Sequence, residues 1–164
     1  MSPRLAFAAL LLAAGCRYDP VAADAIKDLG DEKGTPSATH RPGQPCLACH
    51  SKYGGAKPEM AVGGTVYAIS GKTEKKLVPA KDIRVTVLDA DGDTRKACSN
   101  SAGNFWVPKE YWGDVVFPLA PVAGGIVMHS LVNRDGSCAS CHGLTPSPTS
   151  PGPIYVNATL PDGG

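Results

Sequence analysis

Ile83-Arg84-Val85-Thr86-Val87-Leu88 alternates the apolar Ile83, Val85 and Val87 with the polar Arg84 and Thr86. A period of two places one set of side chains in a core and the other in water, which is a half-buried strand. Asp89-Ala90-Asp91-Gly92 follows. It is a turn by chemistry, because Asp bonds its own backbone and Gly accepts positive φ. Thr94–Cys98 reads as the returning strand. Asn100-Ser101-Ala102-Gly103-Asn104 makes a second turn, and Phe105-Trp106-Val107 resumes extended chain. Upstream, Val62-Gly63-Gly64-Thr65-Val66-Tyr67-Ala68-Ile69 is a further strand, and residues 114–117, 125–132 and 154–160 supply the remaining candidates. Short strands divided by turn signals at these intervals predict a mainly β chain folded as an immunoglobulin- or transthyretin-like sandwich, with its core at about residues 62–132.

This stretch resembles the carboxypeptidase regulatory-like (transthyretin-like) β-sandwich. The matching elements are Gly64-Thr65-Val66, residues 79–87, Asp89-Ala90-Asp91-Gly92 and Ser101-Ala102-Gly103-Asn104-Phe105, within roughly residues 62–118. The resemblance implies a fold and carries no chemistry. No peptidase zinc motif accompanies it.

The chemistry lies on either side. Cys46-Leu47-Ala48-Cys49-His50 and Cys138-Ala139-Ser140-Cys141-His142 are both C-x-x-C-H, the spacing of covalent c-type haem attachment. Two thiols so spaced, Cys46 with Cys49 and Cys138 with Cys141, match the two vinyl groups on one porphyrin edge. The following histidine, His50 or His142, then supplies the proximal iron nitrogen. Two words imply two haems, carried in a first segment at 40–53 and a second at 129–145. Paired C-x-x-C zinc knuckles are the rival, but those sit roughly 15–20 residues apart and these are far more distant. A thioredoxin-like redox pair would need a βαβ context that is missing. The words share no surrounding text, so no duplication is evident.

The resemblance to c-type cytochromes implies electron transfer, with other cytochromes or oxidoreductases as redox partners and no catalytic residues. A small haem enzyme (a peroxidase or reductase with an open iron site) is an alternative. A haem-free surface-binding or scaffold sandwich is another. Each iron also needs a distal decision. Beyond His50 and His142, the chain's four histidines leave His40 and His129, and the methionine options are Met128 and Met60. His40 lies in a polar turn before Cys46. Met128 and His129 are neighbours on an expected strand, so they should face opposite ways, Met128 with Ile126 and Ser130, His129 with Val127 and Leu131. That choice stays open; Met60 is the weakest candidate and reads as packing.

The N-terminus points outward from the cytoplasm. Residues 1–15 hold a basic start and an apolar run too short to span a bilayer, the pattern of a signal peptide. They end Leu12-Ala13-Ala14-Gly15-Cys16, which resembles the lipobox of bacterial lipoproteins with its leucine one place early. That resemblance implies a diacylated Cys16 and a protein held at the bacterial envelope, at the outer membrane on its periplasmic or cell-surface side. Residues 16–37 then form the lipidated cysteine and a flexible tether with a short helix near 22–29, and residues 38–164 a single dihaem domain. Sixteen basic and fifteen acidic side chains give a net charge of +1, with no basic patch for nucleic acid. Cys98 is left over and is expected to be a small buried hydrophobe.

Overall fold

The computed structural model describes residues 19–70, 76–113, 115–133 and 135–156. Cys16 and the expected signal peptide lie outside them. The elements in order are α1 (Pro20–Leu29), α2 (Cys46–Cys49), β1 (Met60–Ser70), β2 (Lys76–Pro79), β3 (Arg84–Leu88), β4 (Thr94–Cys98), β5 (Asn104–Pro108), β6 (Ala120–Ala123), β7 (Ile126–Val127) and β8 (Ile154–Val156), with 3-10 turns at Lys109–Tyr111 and Cys138–Ser140. The strands form two four-stranded sheets. In one, β1 pairs antiparallel with β5 along its first half and with β2 along its second, and parallel with β8 at Val66–Ala68. The other runs β4-β3-β6-β7, antiparallel throughout. The protein is a β-sandwich.

Val85 and Val87 are buried while Arg84 and Leu88 are exposed, the alternation that the sequence shows. They meet Val62, Val66, Ala68, Phe105, Val107, Leu119 and Val156 in the core between the sheets. Both expected turns form. Asp89 Oδ1 accepts from the amides of Asp91 (3.1 Å) and Asp93 (2.9 Å), and its Oδ2 accepts from Trp112 Nε1 (3.2 Å), which satisfies a buried carboxylate. Asn100 Oδ1 accepts from the Ala102 and Asn104 amides, and Gly103 supplies the left-handed residue at φ 76°.

β1 is the unusual strand. It is buried without interruption from Ala61 to Ala68, on both faces. Val62, Val66 and Ala68 enter the sandwich core. Thr65, on the other face, accepts a hydrogen bond from the Gly43 amide at 2.7 Å and donates to Asn104 Oδ1 at 2.8 Å. The first C-x-x-C-H segment therefore covers the outer face of the sheet.

Several expectations need correction. The strand expected at 125–132 stops at Val127 and is resumed only by the Leu119–Val132 bridge, so Met128 and His129 do not alternate across a sheet. Residues 115–117 are irregular, and Asp114 lies outside the described residues. Pro118, which has no N–H to give a ladder, follows, and the place beside β3 goes to β6. β6 was hidden because Ala120-Pro121-Val122-Ala123 shows no alternation. β8 covers 154–156 of the expected 154–160, the rest being outside the described residues. Cys98 is exposed, because Arg95 and Ala97 take the inward positions of β4. The short helix expected near 22–29 does form, as α1, starting two residues earlier at Pro20 and capped by Asp19 Oδ1 on the amides of Val21 and Ala22.

Val87→Ala is expected to cost about 2 kcal/mol by transfer and cavity terms. Arg84→Ala on the wet face should stay within about 0.5 kcal/mol. A pair of urea titrations checks both, and equal losses would contradict the burial pattern.

Candidate functional site

The two C-x-x-C-H words fold alike despite unlike surroundings. α2 is one helical turn between Pro45 and His50, and the second word opens with a 3-10 turn, Cys138–Ser140. In each, the histidine amide bonds the carbonyl of the first cysteine: His50 to Cys46 and His142 to Cys138, both at 2.9 Å. That closure brings both thiols of a word and its histidine onto one turn.

The imidazoles are also held alike. His50 Nδ1 lies 2.8 Å from the Pro58 carbonyl oxygen, and His142 Nδ1 lies 2.8 Å from that of Gly152. A carbonyl oxygen only accepts, so each Nδ1 must carry the proton. The neutral ring then keeps its lone pair on Nε2, the arrangement of a metal-ligating histidine oriented by its second nitrogen.

Among the distal candidates, the structure sets His40 against His50. Their ring centroids are 5.8 Å apart and their planes tilted by 31°. A metal bound at about 2 Å by a nitrogen of each of two facing imidazoles separates the ring centres by roughly 6 Å. His40 Nδ1 is bonded to the Ser37 carbonyl, which again leaves Nε2 with the lone pair. No such ring pairing is found for His129 among the described residues. It is exposed on the bend after β7, and Met128 is half-buried with its amide on the Pro121 carbonyl.

Adjacent glycines of β1 receive the two words. A Cβ at Gly63 would lie 3.1 Å from Cys46 Cβ and 3.5 Å from its Sγ. A Cβ at Gly64 would lie 2.8 Å from Cys138 Cβ, 3.1 Å from its Sγ and 3.1 Å from the Phe105 ring. Neighbouring strand residues point to opposite faces, so the words approach β1 from its two sides. Gly63 also donates its amide to Gly136 O at 2.9 Å, and a Cβ at Gly136 would strike Ala61 O. Glycines inside a strand pattern signal close approach by another group, and Gly63-Gly64 was that signal in the sequence. Thr65, Asn104 and Gly136 gave none.

Burial pushes the Cys46 thiol up, with Cys49 adding to the shift and a backbone hydrogen bond opposing it. Cys138 is pushed up to about 12, by burial first and then by Cys46 and Asp135. These surroundings favour an uncharged sulfur, and a haem thioether is one. The cysteines of both words are free thiols, and no group of three His, Cys, Asp or Glu among the described residues forms a metal-chelating cluster. The four thiols are thus not gathered into one tetrahedral cage. The residues present fit two covalent haems: Cys46, Cys49 and His50 for one, Cys138, Cys141 and His142 for the other. Comparison with family models, with curated proteins and with solved structures finds no match to the chain.

Gly64→Ala is expected to lower stability by about 1–3 kcal/mol through overpacking against Cys138 and Phe105. Ser101→Ala, in an exposed turn, should leave the urea midpoint nearly unchanged. In haem-free protein, Cys98 and Cys141 should alkylate quickly at pH 8 while Cys138 lags, because the thiolate is the nucleophile. With its folded pKa above the unfolded one, the Cys138 thiol stabilises the fold fully below about pH 8.5, and that contribution is lost as pH rises towards 12. Mass-mapped labelling across pH reads this directly, and equal rates at all three thiols would refute it.

Proposed function

We propose that this chain is a dihaem c-type cytochrome that relays electrons at the bacterial cell envelope. The carrying observation is the matched tautomer of His50 and His142, each fixed by a backbone carbonyl so that Nε2 is free for iron. When bound, the haems supply the one-electron chemistry. The chain's own residues attach them, orient the imidazoles and limit access of water. Cys46 and Cys49 hold one porphyrin and Cys138 and Cys141 the other. His40 is the distal ligand of the first haem, supported by its place against His50. Met128 and His129 stay as the distal candidates of the second.

A first haem with histidine on both sides is six-coordinate and low-spin, which suits transfer over substrate binding. Axial histidine also gives a lower potential than axial methionine. The protein acts from an envelope anchor through a lipid on Cys16, with other redox proteins as partners. No helix among the described residues is long and apolar enough to cross a membrane.

The test is co-expression with a haem maturation system, followed by a pyridine haemochrome assay and an intact mass. Two covalent haems per chain are expected. A colourless protein without added mass would end the cytochrome reading in favour of a haem-free module. Replacing Cys46 and Cys49 together by Ala should remove one haem and leave the other. His40→Ala should convert one of the two ferric haems to high spin by EPR.

A further inference from the structure

We propose that Arg41 is the positioning residue for His40, holding that imidazole over the first haem by tying its loop to the C-terminal end of α1. The inference rests on His40 being the distal ligand.

Arg41 follows His40 directly, and its guanidinium meets four acceptors. Nε donates to Glu32 Oε2 at 2.5 Å, Nη1 to the Leu29 carbonyl at 3.0 Å and to Gln44 Oε1 at 2.9 Å, and Nη2 to the Gly30 carbonyl at 2.7 Å. Leu29 and Gly30 close α1, where helix carbonyls lack partners within the helix and carry the negative end of its dipole. A planar fork with donors in fixed directions can serve all four, and a lysine ammonium, a single point with three donors, cannot. The arginine side chain is only 18% exposed, less than a surface ion pair would show.

The backbone adds an independent sign. Arg41 has φ 49°, in the left-handed region that is unfavourable for a residue with a Cβ. Such a conformation persists where its surroundings over-determine it. Here the turn parts two neighbouring side chains, sending the imidazole to His50 and the guanidinium to α1.

The loop is mounted on its other side as well. Asn104 Nδ2 donates to the His40 carbonyl at 2.9 Å, and Asn100 Nδ2 donates to that of Ala38 at 2.6 Å. Those bonds fix the loop to the sandwich. The Arg41 fork fixes it to the N-terminal helix, so a segment that reads as a mere spacer becomes part of the haem site.

The decisive variant is Arg41→Asn in the full-length, haem-loaded protein. Asn tolerates positive φ better than most residues, so the turn is kept while the fork is lost. Two haems per chain should remain. One haem should gain a high-spin ferric component that added imidazole returns to low spin. Its apparent affinity for cyanide should rise about 10-fold, because the exogenous ligand reads the fraction of iron that His40 has released. Arg41→Lys should fall between this variant and the wild type. A low-spin Arg41→Asn protein with unchanged cyanide affinity would show that Asn100 and Asn104 hold the loop unaided, and would overturn the assignment of Arg41 while leaving the cytochrome standing. Wild-type protein with fewer than two haems, or a His40→Ala spectrum identical to wild type, would instead remove the reading beneath it.

Discussion

β1 is covered on both faces, and the remainder of the structure is arranged around that constraint. A strand of a two-layer sandwich ordinarily shows one face to water. Here Val62, Val66 and Ala68 are taken by the core, while Gly63, Thr65 and Tyr67 are taken by the segment that carries the first C-x-x-C-H word. The outer layer is not made of another sheet. It is a turn-rich stretch with few apolar side chains, and it is joined to β1 and β5 by polar bonds, Gly43 to Thr65 and Asn104 to His40. A haem in that layer would supply the large apolar body that the segment itself lacks.

The absence of side chains at Gly63 and Gly64 has the same origin. Glycine weakens a strand through backbone entropy and lost packing. Two in succession at the centre of the most buried strand would be costly unless something else used the room. Cys46 and Cys138 use it, from opposite sides. The sandwich therefore gives up packing of its own at the point where both C-x-x-C-H words meet it.

Much of this was legible in the sequence, and the limits are instructive. Val85, Val87 and the Asp89 and Asn100 turns declared their roles because alternation and Asx chemistry are local. β6 and the break after Val127 were hidden because they depend on which strands lie alongside. The C-x-x-C-H words are read from spacing alone, without any fold. The Pro58 and Gly152 carbonyls could not be foreseen, since a backbone oxygen has no signature in sequence. Arg41 carried no signal in the sequence, for two of its four acceptors are main-chain oxygens at the end of α1 and the other two lie on side chains brought near only by the fold.

Pro58 precedes β1 by one residue, Glu59, and Gly152 precedes β8 by one residue, Pro153. The two strands are hydrogen-bonded to each other in parallel, Val66 opposite Ile154 and Tyr67 opposite Tyr155. Each motif imidazole thus takes its orientation from the lead-in to a strand, and the two strands pair in one sheet. The carbonyls that orient both rings sit in loop residues that run directly into that sheet. The pair of sites shares a common mechanical ground.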